Sequence, residues 1–434
     1  MRYPRVAITL LLFAPGSLAA QVPGLSSRAL GMAGAYTVNA RGFEAPSWNP
    51  AVLATPGQPG FSIGLPTATF DLSSNAYGLS ELRRYSGKTL SLQDKTDLLA
   101  MVDTTLALRT IAGGSPFGIS IGPFALSLTA SGDMDSRLPR DAVELALFGN
   151  AHRSGATQFF TAAGSRANGW GAATIAASYA MPFRLPMGRL SVGVTAKLVK
   201  GLGLARAEET ASHLQINPTF AAHAAGHAIY TDYANGTRTP PGSGFGVDLG
   251  GMLKLPGGMT VGASIVNLVA TMSWDEDRFR YDRVDYLATQ NAAGQLSDSQ
   301  VDSTLIGSAI DGDPAASALR DSMMAHATFS KVVRAGATMH LGGVLLAAGG
   351  SLRLSQGLDR QPKQSLSAGA EYVLLGFLPL RAGIGTDFGD ALTLSAGTGL
   401  YLGPVTLDFG IANTSGSDHP GVQIGAGLSL IFGR

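Results

Sequence analysis

The residues of this chain that could carry out chemistry are few, and no catalytic motif joins them. His223 and His227 have the spacing of a helical metal pair, but on a strand they would lie about 13 Å apart. His152 and Ser154 are close in sequence, yet no Gly-x-Ser-x-Gly elbow orients a serine nucleophile. The chain has no cysteine, which excludes thiol catalysis, disulfides and cysteine-bound metals. We therefore expect no enzyme activity, no cofactor and no metal site.

The composition excludes further classes of protein. Lysine and arginine together number 31 and aspartate and glutamate 30, so no basic excess is available to bind nucleic acid. Only 14% of the residues are charged, 45% are hydrophobic, and 57 of the 434 are glycine. Disordered chains carry far more charge, and so do the surfaces of soluble domains. The composition therefore indicates a chain that hides much of its surface from water.

The first 20 residues have the pattern of an export signal. Two arginines precede an apolar stretch from Val6 to Ala14, and small residues at 17–20 provide a cleavage site. A transmembrane helix needs about 20 apolar residues, and Pro15 interrupts this stretch too early. We predict a signal peptide over residues 1–20 and an exported mature chain.

The C-terminal half of the chain alternates apolar and polar residues with a period of two. The last segment places Val422, Ile424 and Leu428 on one face, and Gln423 and Ser429 on the other. Each segment is about 10 residues long, the length of a tilted membrane strand. Similar segments lie near 170–182, 188–200, 244–255, 259–272, 328–341, 343–355, 364–375, 378–388, 391–401 and 405–411.

The second face of these segments distinguishes a barrel from a soluble sheet. It combines glycine and serine with nine charged or histidine side chains: Lys197, Asp248, Lys254, Arg334, His340, Arg353, Glu371, Arg381 and Asp408. A soluble sheet would expose this face to water, whereas a barrel keeps it in a lumen and turns the apolar face to lipid. Closure also pairs every backbone group within the bilayer. We predict an all-β, transmembrane antiparallel β-barrel in the outer membrane, with an even number of strands.

The connections between the segments alternate short and long. Short turns lie at 255–258, 341–343, 375–377 and 402–404, and the longest of the other connections is 273–327. Because such barrels have short periplasmic turns and long outer loops, we place 273–327 outside the cell. The alternation fails at 183–188, which also looks like a periplasmic turn. Three apparent strands, 188–200, 212–224 and 244–255, separate it from the turn at 255, whereas two periplasmic turns require an even number. Either 212–233 holds two strands or one turn is misassigned, and we favour a second short strand around 225–233.

Three segments outside the strand pattern are predicted to be helices, on the basis of capping or proline signals at their first residues. They are Ser91–Val102, Pro139–Phe148 and Asp313 to about His326. The third carries Leu319 and Met323 within the long outer excursion. It would form a hydrophobic capture site or lid there, or simply pack on its own loop.

Charged residues near the start of this excursion suggest an exposed loop. Acidic residues at 275–277 adjoin three arginines, Arg278, Arg280 and Arg283. We expect a solvated loop, which could alternatively bridge lipopolysaccharide through cations. Outer-membrane lipids and lipopolysaccharide are therefore expected partners.

The N-terminal segment of the mature chain carries a recognisable pattern that does not alternate. Residues 27–36 include the small-residue stretch Gly31-Met32-Ala33-Gly34-Ala35, and Trp48-Asn49-Pro50-Ala51 follows. This resembles the start of the FadL/TodX superfamily of outer-membrane transporters for fatty acids and other hydrophobic compounds, including PorV-type barrels. Small residues let a backbone pack closely in a narrow lumen. Asn49 can hydrogen-bond its own backbone, and Pro50 fixes the turn.

The resemblance implies a hatch or plug at residues 21–56 and a barrel at 57–434, with 14 strands or, alternatively, 16. It also implies passive uptake of a hydrophobic small molecule such as a long-chain fatty acid. Basic side chains of the lumen, Arg334, Arg353 and His340, are then candidate ligand-binding residues, since arginine pairs well with carboxylates.

Three alternatives remain open. The N-terminal segment could be an inert plug that seals the barrel without gating it. The arginines could instead form a rigid salt-bridge lattice with Asp248, Glu371 and Asp408. The whole barrel could also act like PorV and dock or shuttle a secreted protein through its outer loops. An apolar lumenal pocket would favour transport, and a lumen filled by side chains would favour docking.

Overall fold

The computed structural model describes residues 26–149, 158–216, 220–233, 239–289, 300–305, 312–359, 362–388, 391–416 and 420–433. The predicted signal peptide lies outside the described residues, as do His152 and Ser154.

Within the described residues, fourteen antiparallel strands form a closed barrel wall. They are β1 (Phe61–Ser74), β2 (Thr105–Ile121), β3 (Phe124–Pro139), β4 (Arg166–Leu185), β5 (Gly188–Glu209), β6 (Gly242–Lys254), β7 (Thr260–Ala270), β8 (Val332–Leu341), β9 (Val344–Arg353), β10 (Gln364–Leu374), β11 (Leu378–Thr386), β12 (Leu392–Leu402), β13 (Val405–Ser415) and β14 (Gly421–Phe432). Each strand pairs with the next, and β14 pairs with β1, where Phe61 lies opposite Phe432. The prediction of a 14-stranded barrel is therefore confirmed.

The two faces of the wall differ as the alternation predicts. On β5, Thr195 and Lys197 are at most 4% exposed, whereas Val194 is 40% and Leu198 is 64% exposed. The exposed side chains are apolar and the buried ones are polar, so the outer surface suits lipid and the polar face lines the lumen. No helix among the described residues is long and apolar enough to span a membrane.

The short and long connections lie at opposite ends of the barrel. The odd number of strands counted between the turns at 183–188 and 255–258 has a simple cause. Strands at His213–Ile216 and Ala221–Thr231 do occupy the stretch 212–233, but they lie outside the wall. β5 pairs directly with β6, so only two wall strands separate the turn at 185–188 from the turn at 255–258. The prediction that 212–224 is a strand of the wall was therefore wrong. The stretch does contain two strands, but they do not separate near residue 225, and neither belongs to the wall.

These additional strands extend the barrel at its outer-loop end. The strands Gln158–Thr161, His213–Ile216, Ala221–Thr231, Phe279–Thr289 and Gln300–Leu305 pair in that order, and Ser273–Trp274 pairs with β6. This outer sheet continues from the wall, because residues 226–230 pair with residues 205–209 at the end of β5, and strands of the long excursion form part of it.

Three longer helices agree with the sequence predictions. Ser91 and Asp94 form the capping box of the helix Leu92–Ala100. The helix Arg140–Phe148 ends at Gly149, whose φ of +68° terminates it. Asp313 caps the helix Pro314–Met324, hereafter the cap helix. The remaining helical turns are Ser27–Leu30, Gly42–Glu44, Ala45–Trp48, Pro50–Ala54, Leu79–Tyr85 and Glu276–Arg278.

Candidate functional site

Residues 26–56 cross the lumen as a compact plug that contacts the wall on all sides. Ser27–Leu30 packs against β12, β13 and β14, and Pro50–Ala54 packs against β4, β5 and β6. Between them, Met32 contacts Gly369 and Gly383, and Val38 contacts β7 and β8. The plug is almost entirely buried, so it fills the lumen rather than lying over its mouth.

Glycines make the close approach between plug and wall possible. A Cβ on Gly31 would lie 2.9 Å from the Cα of Gly397, a separation that real side chains do not tolerate. Gly34 has φ of +82°, a conformation that other residues avoid. The small-residue stretch therefore serves the tight packing that the sequence suggested.

The Trp48-Asn49-Pro50-Ala51 motif forms a turn that is bonded to the wall. The Ala51 amide donates to Asn49 Oδ1 at 3.0 Å, the local bond that the sequence predicts. Asn49 Nδ2 faces the carbonyl oxygens of Gly251 and Ala263 at 3.4 and 3.3 Å. The hydroxyl of Ser264 donates to the Trp48 carbonyl at 2.8 Å.

A buried ion network joins the other half of the plug to the wall. Arg28 in the plug donates two hydrogen bonds to Glu371 on β10, at 2.8 and 2.7 Å. Arg381 on β11 donates to the same carboxylate at 2.6 Å and forms an ion pair with Asp408 at 2.6 Å. We call Arg28, Glu371, Arg381 and Asp408 the ion lock.

Further hydrogen bonds join residues within the plug close to the ion lock. The Tyr36 hydroxyl donates to Glu44, which also accepts from the Ser26 hydroxyl. Arg41 lies 3.6 Å from Glu371. The sequence predicted a lattice of Arg334 or Arg353 with Asp248, Glu371 and Asp408. The structure instead pairs Glu371 and Asp408 with Arg28 and Arg381, and Asp248 with Lys197 at 2.6 Å. Arg28 was missed because the plug arginine carries no distinguishing pattern of its own.

Arg334 is in contact with the plug. Its guanidinium donates to the Ser47 carbonyl at 3.1 Å and stacks over the Trp48 ring, 4.9 Å from the ring centroid. Only 5% of Arg334 is exposed, and no carboxylate among the described residues is within ion-pair distance of it. The plug motif therefore covers Arg334.

Arg353 instead lines a cavity at the outer-loop end of the lumen. The cavity has a volume of about 210 Å³ and lies between β3, β4, β5, the cap helix and the segment after β9. Its walls include Asp133, Asp135, Trp170, Leu204, Arg206, Met323, His326 and Arg353. Arg353 lies two residues further toward the outer loops than Ser351, the register partner of Arg334.

The cavity combines apolar and charged surfaces. Trp170, Leu204 and Met323 supply apolar area, whereas Arg109 holds Asp133 with hydrogen bonds of 2.6 to 3.2 Å. The sequence did not identify Asp133, Trp170 or Arg206, because the strands that bear them were recognised only in part.

The cap helix closes one side of this cavity. Its buried residues Ala316, Leu319 and Met323 pack against Ile229 and Phe279 of the outer sheet and the surrounding core. The Tyr281 hydroxyl donates to Asp313 at the start of the helix, and burial together with this bond raises the pKa of Tyr281 to about 12. The helix thus packs on its own excursion and also contributes Met323 to the cavity; its role as a capture site or lid stays a prediction.

The three predicted ligand-binding residues do not form one site. Arg334 is covered by the plug, and Arg353 faces the outer cavity. His340 is exposed near the opposite, short-turn end, six residues along β8 from Arg334. At roughly 3.3 Å per residue, Arg334 and His340 are about 20 Å apart, so one small headgroup cannot contact both.

The other chemically suggestive residues are engaged in the outer sheet. His223 Nε2 lies 2.9 Å from Asp285, and His227 lies 4.0 Å from Glu208. Both histidines are on one strand, as the spacing argument assumed. No group of three histidine or acidic side chains in the described chain could hold a metal ion.

The arginines of the acidic excursion also find partners within the chain. Arg280 pairs with Asp232 at 3.4 Å, and Arg283 with Asp313 at 3.6 Å. Glu276 pairs with Arg320 of the cap helix at 3.4 Å. This cluster therefore helps to fasten the excursion to itself.

Solved structures with the same architecture include two that align over nearly the whole chain. A FadL homologue from Pseudomonas aeruginosa is 10% identical and has a TM-score of 0.50, with 96% of this chain and 100% of that chain covered. The TodX deltaS2S3 mutant, a monoaromatic hydrocarbon channel derived from a Pseudomonas putida toluene transporter, is 11% identical. Its TM-score is 0.51, with 94% of this chain and 98% of that chain covered. These likenesses define the protein as a barrel of the FadL-type fold.

The chain itself belongs to a family of unknown function (DUF5723), whose model matches residues 50–398. A search of curated proteins finds no match. The resemblance seen in the N-terminal motif is thus confirmed at the level of fold.

Proposed function

We propose that this protein is an outer-membrane channel for the passive uptake of hydrophobic small molecules. The observation that carries the proposal is the cavity of about 210 Å³ beneath the cap helix, which lies at the outer end of a plugged lumen. Its apolar side chains could bury a ligand and its charged groups could orient it, which is how small-molecule sites are built. One structural neighbour is described as a FadL homologue and the other as a monoaromatic hydrocarbon channel, which agrees with this role.

The ligand would enter the cavity from outside and then pass the plug. Trp170, Leu204 and Met323 would contact its apolar body. Movement of the Trp48-Asn49-Pro50-Ala51 motif would uncover Arg334, whose present partners are a carbonyl oxygen and a ring. Because neither partner is an anion, a ligand carboxylate would bind Arg334 more strongly than the plug does.

Within this function we propose long-chain fatty acids as the substrate. Arg353 at the cavity and Arg334 at the plug would pair in turn with the carboxylate. Lipid extraction and mass spectrometry of the gently purified barrel test this directly. A stoichiometric fatty acid supports it, whereas a neutral hydrocarbon would retain the channel and exclude the fatty acid. A co-purifying secreted protein with an empty cavity would instead favour the docking role.

Filling the cavity should reduce uptake. Ser322 lines it from the cap helix, so Ser322→Trp should lower the uptake of a hydrophobic compound into vesicles severalfold by occupying ligand space. Ala318→Trp, one turn earlier on an exposed part of the same helix, is the matched control and should leave uptake nearly unchanged. Equal uptake by Ser322→Trp and the wild-type protein would show that the cavity is not on the transport path.

A further inference from the structure

Three basic residues form a row at the short-turn end of the wall. Arg184 on β4 lies opposite Arg189 on β5, and Arg189 lies opposite Lys254 on β6. Neighbouring strands are about 4.8 Å apart, so the three backbone positions span roughly 10 Å. Like charges directly opposite one another on a sheet are destabilising. A nearby anion, either a carboxylate of the chain or a bound ligand, would offset this repulsion.

The row faces the lumen. Arg189, Gly193, Thr195 and Lys197 share one face of β5 because side chains alternate along a strand. Thr195 and Lys197 are buried, and a Cβ on Gly193 would lie 2.5 Å from the Ala51 amide nitrogen of the plug. Arg184 and Lys254 are on the same side, since cross-strand partners project to the same face.

Within the part of the chain that the structure describes, no carboxylate forms an ion pair with this row. Residues 176–196 and 249–266 contain no aspartate or glutamate. Asp248, six residues away on the same strand as Lys254, pairs with Lys197 at 2.6 Å, and Glu371 and Asp408 across the lumen are bonded to Arg28 and Arg381. Arg184 and Arg189 are exposed, and Lys254 donates to the Pro56 carbonyl at 3.4 Å.

The plug motif is seated directly above this row on the same strands. Ala180, Gly193 and Gly250 form another register row, four residues further into the barrel. Asn49, Pro50 and Ala51 pack on Gly193 and Gly250. Four residues correspond to about 13 Å along a strand. Displacement of the motif would therefore open a path over small residues that ends at the three cations.

We propose that Arg184, Arg189 and Lys254 form an exit subsite, which binds the carboxylate of an amphipathic compound as it leaves the plug. This inference rests on the proposed channel function and narrows its substrates to compounds with an anionic headgroup and an apolar chain. Arg334 lies in the register row of Gly250 through Ser264, so a headgroup released there would meet the basic row next. A neutral hydrocarbon would gain nothing from these cations.

The absence of cysteine allows a direct test. Met187 lies in the turn between the two arginines and is 60% exposed, so Met187→Cys places a single environment-sensitive fluorophore beside the row. The labelled barrel, in phosphatidylcholine nanodiscs, is titrated with laurate and with dodecanol. We expect a saturable, salt-sensitive response to laurate and a response at least tenfold weaker to dodecanol. Charge-assisted hydrogen bonds of about 1.5–3 kcal/mol correspond to that difference.

The variants identify the groups responsible. The triple variant Arg184→Gln/Arg189→Gln/Lys254→Gln should lose the preference for laurate. Each single change should weaken apparent laurate binding severalfold. The single variants keep the test valid if the triple variant does not fold. The charge-matched control is Arg83→Gln/Arg84→Gln/Lys95→Gln in the outer helices, which should respond like the parent.

Three results would overturn the subsite. These are equal responses to laurate and dodecanol, a laurate response that survives the triple change, and a response that follows phosphatidylglycerol content but not laurate. The last would assign the row to a phospholipid headgroup. Uptake assays test the channel function separately. Normal uptake without a laurate response would reject the exit subsite but leave the proposed channel function intact.

Discussion

Replacing Glu371 with glutamine should destabilise the barrel and loosen its plug. The carboxylate lies between Arg28 and Arg381 and is 3% exposed, so its loss leaves two buried guanidinium groups facing each other. Removing one partner of a buried ion pair typically costs about 3–5 kcal/mol. We expect a lower midpoint of urea unfolding in detergent and measurable ion conductance through a barrel that is otherwise closed.

A compensated variant separates charge from packing. Arg28→Met/Glu371→Met removes one cation together with the anion and leaves the pair of Arg381 with Asp408 in place. It should recover most of the lost stability, because apolar side chains of similar volume often replace buried ion pairs without penalty. Arg84→Gln, in an exposed pair with Asp97, should change little. If Glu371→Gln unfolds at the wild-type midpoint, the ion lock does not hold the plug.

Replacing Gly250 with valine should displace the plug motif. A Cβ at this position would lie 2.0 Å from Asn49 Oδ1 and 3.0 Å from Pro50 Cδ. The strand and the plug motif would have to move apart to accommodate it. Overpacking of this kind commonly costs about 1–3 kcal/mol. We expect the barrel to form but to conduct ions in planar bilayers, since the motif would no longer seal the lumen.

The adjacent glycine provides the control. A Cβ on Gly251 meets nothing within 4 Å, and this residue projects to the face opposite that of Gly250. Gly251→Val should therefore stay closed and keep wild-type stability, because valine suits both a strand and a lipid-facing surface. Similar conductance in both variants would mean that contact with Asn49 does not close the channel.

The first three strands show where sequence patterns lose their information. β2 and β3 together span Thr105–Pro139, yet no strand was predicted there. A bulge between Gly114 and Phe117 shifts the register of β2 against β3 and breaks its alternation. The alternation of Phe124, Leu126 and Leu128 on β3 was a usable signal, since Phe124 and Leu126 are exposed to the lipid side.

The outer sheet gives a second example. Its strands alternate and pair as wall strands do, so periodicity could not exclude them from the barrel. Only the direct pairing of β5 with β6 shows that 213–231 lies outside the wall. The odd number of strands between two periplasmic turns showed that one assignment was wrong, but it did not show which one.

From residue 244 onwards, the sequence by itself determined the barrel strands and the faces of their side chains. In that part of the chain, a period of two assigns each side chain to a face, and alternating short and long turns assign the strand ends. The resemblance of the N-terminal motif to the FadL/TodX superfamily implied the plug, and the residues themselves predicted its close packing and the local Asn49 bond. The packing and the bond follow from local chemistry, so a single chain segment contains them.

Only the tertiary structure decided which lumen residues meet. Arg28 and Glu371 are 343 positions apart, and Arg334 and His340 share a face but not a site. Strand register, barrel closure and the course of the plug set those distances, and all three depend on contacts between distant segments. Alternation gives the direction of a side chain but not its partner, because the partner is fixed only when the sheet closes.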